Sequence, residues 1–232
     1  MTELADVHDS KSCGGNPMGV RLSPAAPMRF IYRHPKIYGF LISFIHSRAL
    51  LEQFKKEVGR NHSIFDVAAG YGGMAEFIDS PNSYCGIDAN EKFVEHGCRQ
   101  GLNLKIKNIF DETAYQKSDI FLAVDIIHHL PEEKLSELFD LIFKHAGQKV
   151  IVLEPAFVSV TYRYWIFGRF LGWFFRKFDA DGVNDIQRWF SENEYEDLFK
   201  RRIGSDLGKA FSVRYRRLGC YWLAVFENLA VR

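Results

Sequence analysis

The apolar run Ile64-Phe65-Asp66-Val67 leads directly into a turn made almost wholly of small residues, Ala68-Ala69-Gly70-Tyr71-Gly72-Gly73, and residues 74–78 then read as the start of a helix. A strand, a turn and a helix in immediate succession predict a βα unit, in which bare backbone at the helix start can approach a ligand closely. The pattern then repeats. Short apolar runs at 84–87, 104–107 and 120–124 predict strands, and residues 91–100 predict a helix between the first two. From Pro131, apolar residues recur at Leu135, Leu138, Phe139, Ile142 and Ala146, which predicts a helix stopped by Gly147, with a buried strand at 150–153 after it. Residues 211–218 and 221–226 are two more strand-like runs separated only by Gly219-Cys220, a spacing that suits a hairpin and not a crossover.

Together these runs predict an α/β fold: a Rossmann-like, mostly parallel sheet of seven strands, closed by an antiparallel hairpin and covered by helices on both faces. At 232 residues, 47% of them hydrophobic, the chain has the apolar mass for one sizeable core, which excludes disorder as its main state. Residues 1–27 read as a flexible N-terminus without an apolar run of signal-peptide length, and residues 28–232 as a single domain. Within it, 28–60 are expected to be a helical cap, 61–155 a first half carrying the turn, and 156–232 a second half with an aromatic-rich insertion. Residues 36–58 have a mild helical rhythm that ends at Gly59 and predict one long or two broken helices.

Lysine and arginine number 30 against 29 aspartate and glutamate, so no bulk field favours a nucleic-acid partner. Cys13, Cys85, Cys98 and Cys220 are scattered without a paired metal or redox spacing, which predicts reduced thiols in a cytoplasmic protein and no metal site. No stretch reaches the ~18 uncharged apolar residues of a membrane span, since Arg163 and Arg169 interrupt the best candidate; a peripheral contact with a bilayer stays open. That candidate, 158–178, is dense in rings, among them Trp165 and Phe170, with Arg163, Arg169, Arg176 and Lys177 interleaved. Three readings share it: a helix covering the core, the wall of an apolar acceptor pocket, or an interfacial membrane surface.

The turn gains meaning from Asp88, which lies at the end of the second strand, 22 residues beyond Asp66, where an acidic residue in a nucleotide-binding βαβ unit accepts both ribose hydroxyls. A dinucleotide fingerprint fits only if Ala75 stands for its third glycine, and it leaves Asp66 unexplained. The segment Asp66-Val67-Ala68-Ala69-Gly70-Tyr71-Gly72 instead resembles the first motif of the class I S-adenosylmethionine-dependent methyltransferases, an acidic residue followed by a Gly-x-Gly-x-Gly turn. The resemblance covers about residues 60–155, and the closing hairpin agrees with that family's sheet edge.

The resemblance implies S-adenosylmethionine as cofactor. It places Asp66, Ala68, Ala69, Gly70 and Gly72 at the methionine part, Asp88 with Ala89 at the ribose, and Asn108 and Ile109 near the adenine. Asn108 stands where an aspartate is commoner, and Ala68 where the first glycine is. The fourth strand continues Asp125-Ile126-Ile127-His128-His129-Leu130-Pro131, similar to a family segment in which a polar residue and a histidine face the ligands. Asp125 is accordingly expected at the cofactor, and His129 or His128 as a base for the acceptor's proton. The plainer alternative is that one histidine caps the following helix and the other is a satisfied structural group. The resemblance also implies that the N-terminal helices fold over the cofactor, which makes Tyr32 and Tyr38, with Trp165 and Phe170, candidates to line the acceptor site. The expected activity is methyl transfer to a small, substantially apolar or lipid-like acceptor at oxygen or nitrogen. The alternatives are a silent protein that binds S-adenosylmethionine or S-adenosylhomocysteine, and a nicotinamide-dependent oxidoreductase.

Overall fold

The computed structural model describes residues 46–79, 82–156 and 190–231. Seven strands form one sheet: β1 (Ser63–Val67), β2 (Ser83–Asp88), β3 (Asn103–Ile106), β4 (Ser118–Val124), β5 (Ala146–Pro155), β6 (Phe211–Leu218) and β7 (Tyr221–Asn228). Their order is β3-β2-β1-β4-β5-β7-β6, with every pair parallel except those made by β7, which runs antiparallel to both β5 and β6. The described α-helices are α1 (Arg48–Val58), α2 (Glu91–Arg99), α3 (Glu132–His145) and α4 (Glu192–Ile203).

Strand periodicity sorts the side chains into two cores. Phe65, Val67, Phe121, Ala123, Val150, Val152, Ala224 and Phe226 face α3 and α4, while Ile64, Ile120, Leu122, Ile151, Leu153, Leu223 and Val225 face α1. Asp66 alternates with Phe65 and Val67, so a carboxylate shares the α1 face with Ile64. Helix α1 starts where the Ser47 hydroxyl accepts the Leu50 amide, and Gly59 at φ +69° ends it. Glu57 of α1 forms a paired ion contact with Arg214 of β6, and the guanidinium holds the carboxyl below its usual range. A capping box at Ser191 and Glu194 opens α4, its hydroxyl and carboxylate each taking the other residue's backbone amide.

Two expectations differ by more than a residue or two at an end. Residues 73–77 form a 3-10 turn, not the opening of an α-helix. Gly147 does not stop a helix: α3 ends at His145 and β5 begins at once, four residues earlier than the expected 150. A methyl group at Gly147 would lie 3.3 Å from the Ser118 carbonyl oxygen, so glycine lets β5 reach β4 beside the register shift at Ser118 and Ile120. Cys85, Cys98 and Cys220 are free thiols. No helix among the described residues is long and apolar enough to cross a membrane. The expectations for 1–27, for the 28–45 part of the cap and for the ring-rich 158–178 lie outside the described residues.

Candidate active site

In a parallel sheet the loops that leave the carboxyl ends of the strands gather into one rim. The first turn is bent by left-handed backbone at Ala68 (φ +60°), Gly70 (φ +58°) and Gly72 (φ +81°). Glycine adopts this region freely, whereas the Cβ of Ala68 strains there. The Ala69 amide donates to the Ile87 carbonyl at 2.9 Å and so draws the turn across β2. Gly86 permits this, because a Cβ on it would lie 2.7 Å from that of Ala69 and 2.9 Å from the Asp66 carbonyl oxygen.

Asp88 fastens the turn. One carboxylate oxygen accepts the Gly70 amide and the other the Asn90 amide, both at 2.7 Å, so the side chain joins the turn to the start of α2. Burial raises its pKa and the two amide bonds oppose that shift. Each oxygen keeps a lone pair, which leaves Asp88 able to accept two hydroxyl groups. Ala89 is exposed on the same loop. Beyond β3, the Lys107 amide donates to the Asp88 carbonyl at 3.0 Å, which brings the Asn108 loop alongside. Asn108 Oδ1 accepts the Phe110 amide at 2.9 Å, and Ile109 packs against the core with its carbonyl taking the Tyr115 hydroxyl at 2.6 Å. The side-chain amide of Asn108 is therefore committed on its carbonyl side to a local turn.

Asp66 sits in β1 beneath the turn and is only 2% exposed. The Tyr84 hydroxyl donates to Oδ2 at 2.6 Å, and Oδ1 is sealed without a hydrogen-bond partner. Burial pushes its pKa up to about 7, with the Tyr84 bond opposing and the charge on Asp88 adding to the rise.

At the end of β4 the backbone turns left-handed at Asp125 (φ +53°), whose amide donates to the Leu153 carbonyl at 2.9 Å. Asp125 Oδ2 accepts the Tyr221 hydroxyl at 3.2 Å and lies 3.7 Å from His46 Nε2. Next to it stands Glu154 of β5, fully buried. Its Oε1 accepts the Ile126 and Ile127 amides at 2.8 and 2.7 Å, and its Oε2 bonds His128 Nδ1 at 2.7 Å and the Tyr195 hydroxyl at 3.3 Å. His128 is thus clamped in the core. Burial disfavours its charged form, but the charge and hydrogen bond of Glu154, helped by Asp125, prevail and raise its pKa. His129 is half-buried with its ring 4.1 Å from that of His128.

The structure therefore gathers Asp66, Ala68, Ala69, Gly70, Gly72, Asp88, Ala89, Asn108, Ile109, Asp125, His128 and His129 along one edge. Tyr32, Tyr38, Trp165 and Phe170 lie outside the described residues. Four further residues enter the site that sequence reasoning did not assign to it: His46, Tyr84, Glu154 and Tyr221. Only Glu154 had a signal, as a lone charge closing the run Val150-Ile151-Val152-Leu153.

The same fold is seen in solved methyltransferases crystallised with S-adenosylmethionine or S-adenosylhomocysteine. The chain superposes on DhpI in complex with S-adenosylhomocysteine with a TM-score of 0.60 at 13% identity, covering 87% of this chain and 95% of that one. An O-methyltransferase family protein from Burkholderia thailandensis gives 0.59 at 13% identity over 87% of this chain and 62% of its own, so this chain spans under two thirds of it. Human N-acetylserotonin methyltransferase, in complex with SAM, gives 0.57 at 14% over 87% and 54%. No protein-family model matches the sequence, and no curated protein matches it.

Proposed function

We propose that the protein transfers the methyl group of S-adenosylmethionine to a small, substantially apolar or lipid-like acceptor, at oxygen or nitrogen. The observation that carries the cofactor assignment is the carboxyl-edge cradle: a turn bare of side chains at Gly70 and Gly72, and Asp88 fixed beside it with acceptor capacity to spare. The buried, unpartnered Oδ1 of Asp66 adds an unmet demand for a donor or cation under the same turn, which suits a ligand carrying an ammonium and a sulfonium. When bound, the cofactor supplies an electrophilic methyl group.

The chain's own task is alignment and exclusion of water, because positive charge disappears as the methyl moves. The Ala68–Gly72 turn would hold the methionine part, Asp88 the ribose, and the Asn108-Ile109 loop the adenine. The apolar acceptor rests on the ring-rich composition of 158–178 and on Tyr32 and Tyr38, whose side chains would favour apolar surface over a sugar.

Calorimetric titration with S-adenosylmethionine tests the assignment. Two charged hydrogen bonds of about 1.5–3 kcal/mol each predict at least a tenfold weaker affinity for Asp88→Ala. Unchanged affinity in a folded variant refutes it. Tight binding of a nicotinamide dinucleotide in place of S-adenosylmethionine favours the oxidoreductase. Binding without any S-adenosylhomocysteine formed against a whole-cell extract favours the silent binder. Label from the methyl group recovered only in the water-soluble fraction refutes an apolar acceptor.

A further inference from the structure

Two histidine–carboxylate pairs stand side by side where β4 and β5 end and β7 begins, and only one is complete. The Glu154–His128 pair is closed, since both carboxylate oxygens carry two contacts each. The Asp125–His46 pair is open. Asp125 Oδ1 and His46 Nε2 are both sealed from solvent without a hydrogen-bond partner, although the two side chains lie within ion-pair range at 3.7 Å. His46 is 8% exposed at its side chain and packs edge-on against the Tyr221 ring at 5.0 Å. Buried carboxylate oxygens and ring nitrogens are ordinarily satisfied, so the unmet Oδ1 marks a place for a ligand's hydrogen, while Nε2, 3.7 Å from the other carboxylate oxygen, is placed to direct an N–H toward the carboxylate.

The backbone bears strain to make this arrangement. Asp125 adopts a left-handed φ of +53°, and its amide is pinned to Leu153. Strain of this kind persists where the surrounding structure enforces it, and it clusters at functional sites. Position agrees. Val67 pairs with Ala123 in the β1–β4 register, so the Ala68 turn and Asp125 leave the sheet next to one another.

We propose that Asp125 takes up the proton of the methyl acceptor and that His46 is a positioning residue which holds the Asp125 carboxylate for that step. The proposal rests on the methyl-transfer reading above. As the acceptor heteroatom's lone pair bonds to the methyl carbon, the carbon–sulfur electron pair returns to sulfur. The hydrogen on the heteroatom passes to Asp125 Oδ1, and charge and atoms balance. Among the described residues, the other polar groups around the pair are Tyr221 from β7, Glu154 from β5, Tyr195 from α4, and His128 and His129 from the loop after β4. Glu154 already binds His128 and Tyr195, which leaves Asp125 the carboxylate with an oxygen to offer.

Two measurements test this. The first is the nitrogen resonance of the His46 ring, assigned by its loss in His46→Gln and followed as S-adenosylhomocysteine is added. A pair that faces the cofactor cleft shifts on saturation and shifts again in Asp125→Asn; a resonance that ignores both changes overturns the proposal. The second is transfer of label from S-adenosylmethionine into the small-molecule fraction of a cell extract. Asp125→Asn is expected to lower transfer by ~100-fold or more. His46→Leu is expected to lower it ~10-fold with cofactor affinity within ~3-fold, and His46→Gln, which keeps an N–H to hold the carboxylate, to restore most of the loss. Equal transfer by Asp125→Asn and wild type, with loss only in His129→Ala, moves the proton to His129 and overturns the proposal. A wild type that binds S-adenosylmethionine yet labels nothing removes the methyl-transfer reading itself, and the proton role of Asp125 falls with it.

Discussion

Replacing Asp66 by asparagine should make the protein progressively more stable than wild type as the pH rises. The carboxyl is 2% exposed, bonded by the Tyr84 hydroxyl at 2.6 Å, and burial lifts its pKa to about 7. In the unfolded chain the same group titrates near ~4. Between those values the folded state holds a proton that the unfolded state has lost, so stability falls by about 1.4 kcal/mol for each pH unit. The contribution is fully present below the unfolded pKa and lost as pH rises through about 7. From pH 5 to pH 7, where half of the folded molecules are already ionised, the loss is about 2 kcal/mol. Asparagine keeps an oxygen to accept from Tyr84 but cannot ionise. Urea unfolding of both proteins at pH 5, 6, 7 and 8 isolates the effect, because other titrating groups cancel in the difference. The variant's advantage should widen by about 2 kcal/mol between pH 5 and 7 and level off near pH 8. A difference that stays constant across that range would mean that Asp66 is already ionised at pH 5, and the account of its burial would be wrong. Proton release on binding of cationic S-adenosylmethionine near pH 7, read by calorimetry in two buffers of different ionisation enthalpy, checks the same group from the ligand side.

Ala68→Gly should raise stability by about 1 kcal/mol, since the left-handed φ of +60° penalises the alanine; thermal melting that shows a loss instead would contradict that geometry. Gly97→Ala should do the reverse of what a helix interior normally gives, with a loss of about 1–3 kcal/mol on urea unfolding, because the new methyl meets the Leu104 side chain and would lie 2.6 Å from the Tyr71 carbonyl oxygen. Glu154→Gln should cost about 3 kcal/mol or more at pH 6, as an amide cannot satisfy all four donors; the wild-type His128 contribution is greatest below the unfolded histidine pKa and fades as pH rises through the raised folded one, so the deficit should shrink above neutrality.

What the sequence disclosed depended on distance along the chain. The seven strands were legible because each carries its own run of apolar residues and its own turn, and Gly219 supplies the positive φ that closes the hairpin. The turn and Asp88 were legible as well, since one βαβ unit sets their spacing. Boundaries were missed where tertiary contact overrode a local signal. Gly147 reads as a helix stop, yet its lack of a side chain serves the approach of β5 to β4, and Gln148 at the same place bonds Asp119 at 2.9 Å. Gly86 and Gly97 carry no local signal of their role, yet each clears the way for the turn between β1 and the 3-10 segment. His46, Asp125 and Tyr221 meet from three remote parts of the chain, and no spacing rule joins them.

The four acids of the carboxyl edge belong to four strand ends and differ in how far the protein itself satisfies them. Glu154 has four contacts and no oxygen to spare, so it fixes the loop that carries Asp125 and His128. Asp88 has one backbone amide on each oxygen, enough to hold the turn while still accepting from a ligand. Asp66 and Asp125 each keep one buried oxygen without a partner. An unmet buried acceptor costs about 1–3 kcal/mol, so evolution would readily replace it by an apolar side chain if nothing came to meet it. Substitutions should therefore divide along this order: Glu154 is felt first in stability, Asp88 in stability and ligand affinity together, and Asp125 in function with little loss of fold.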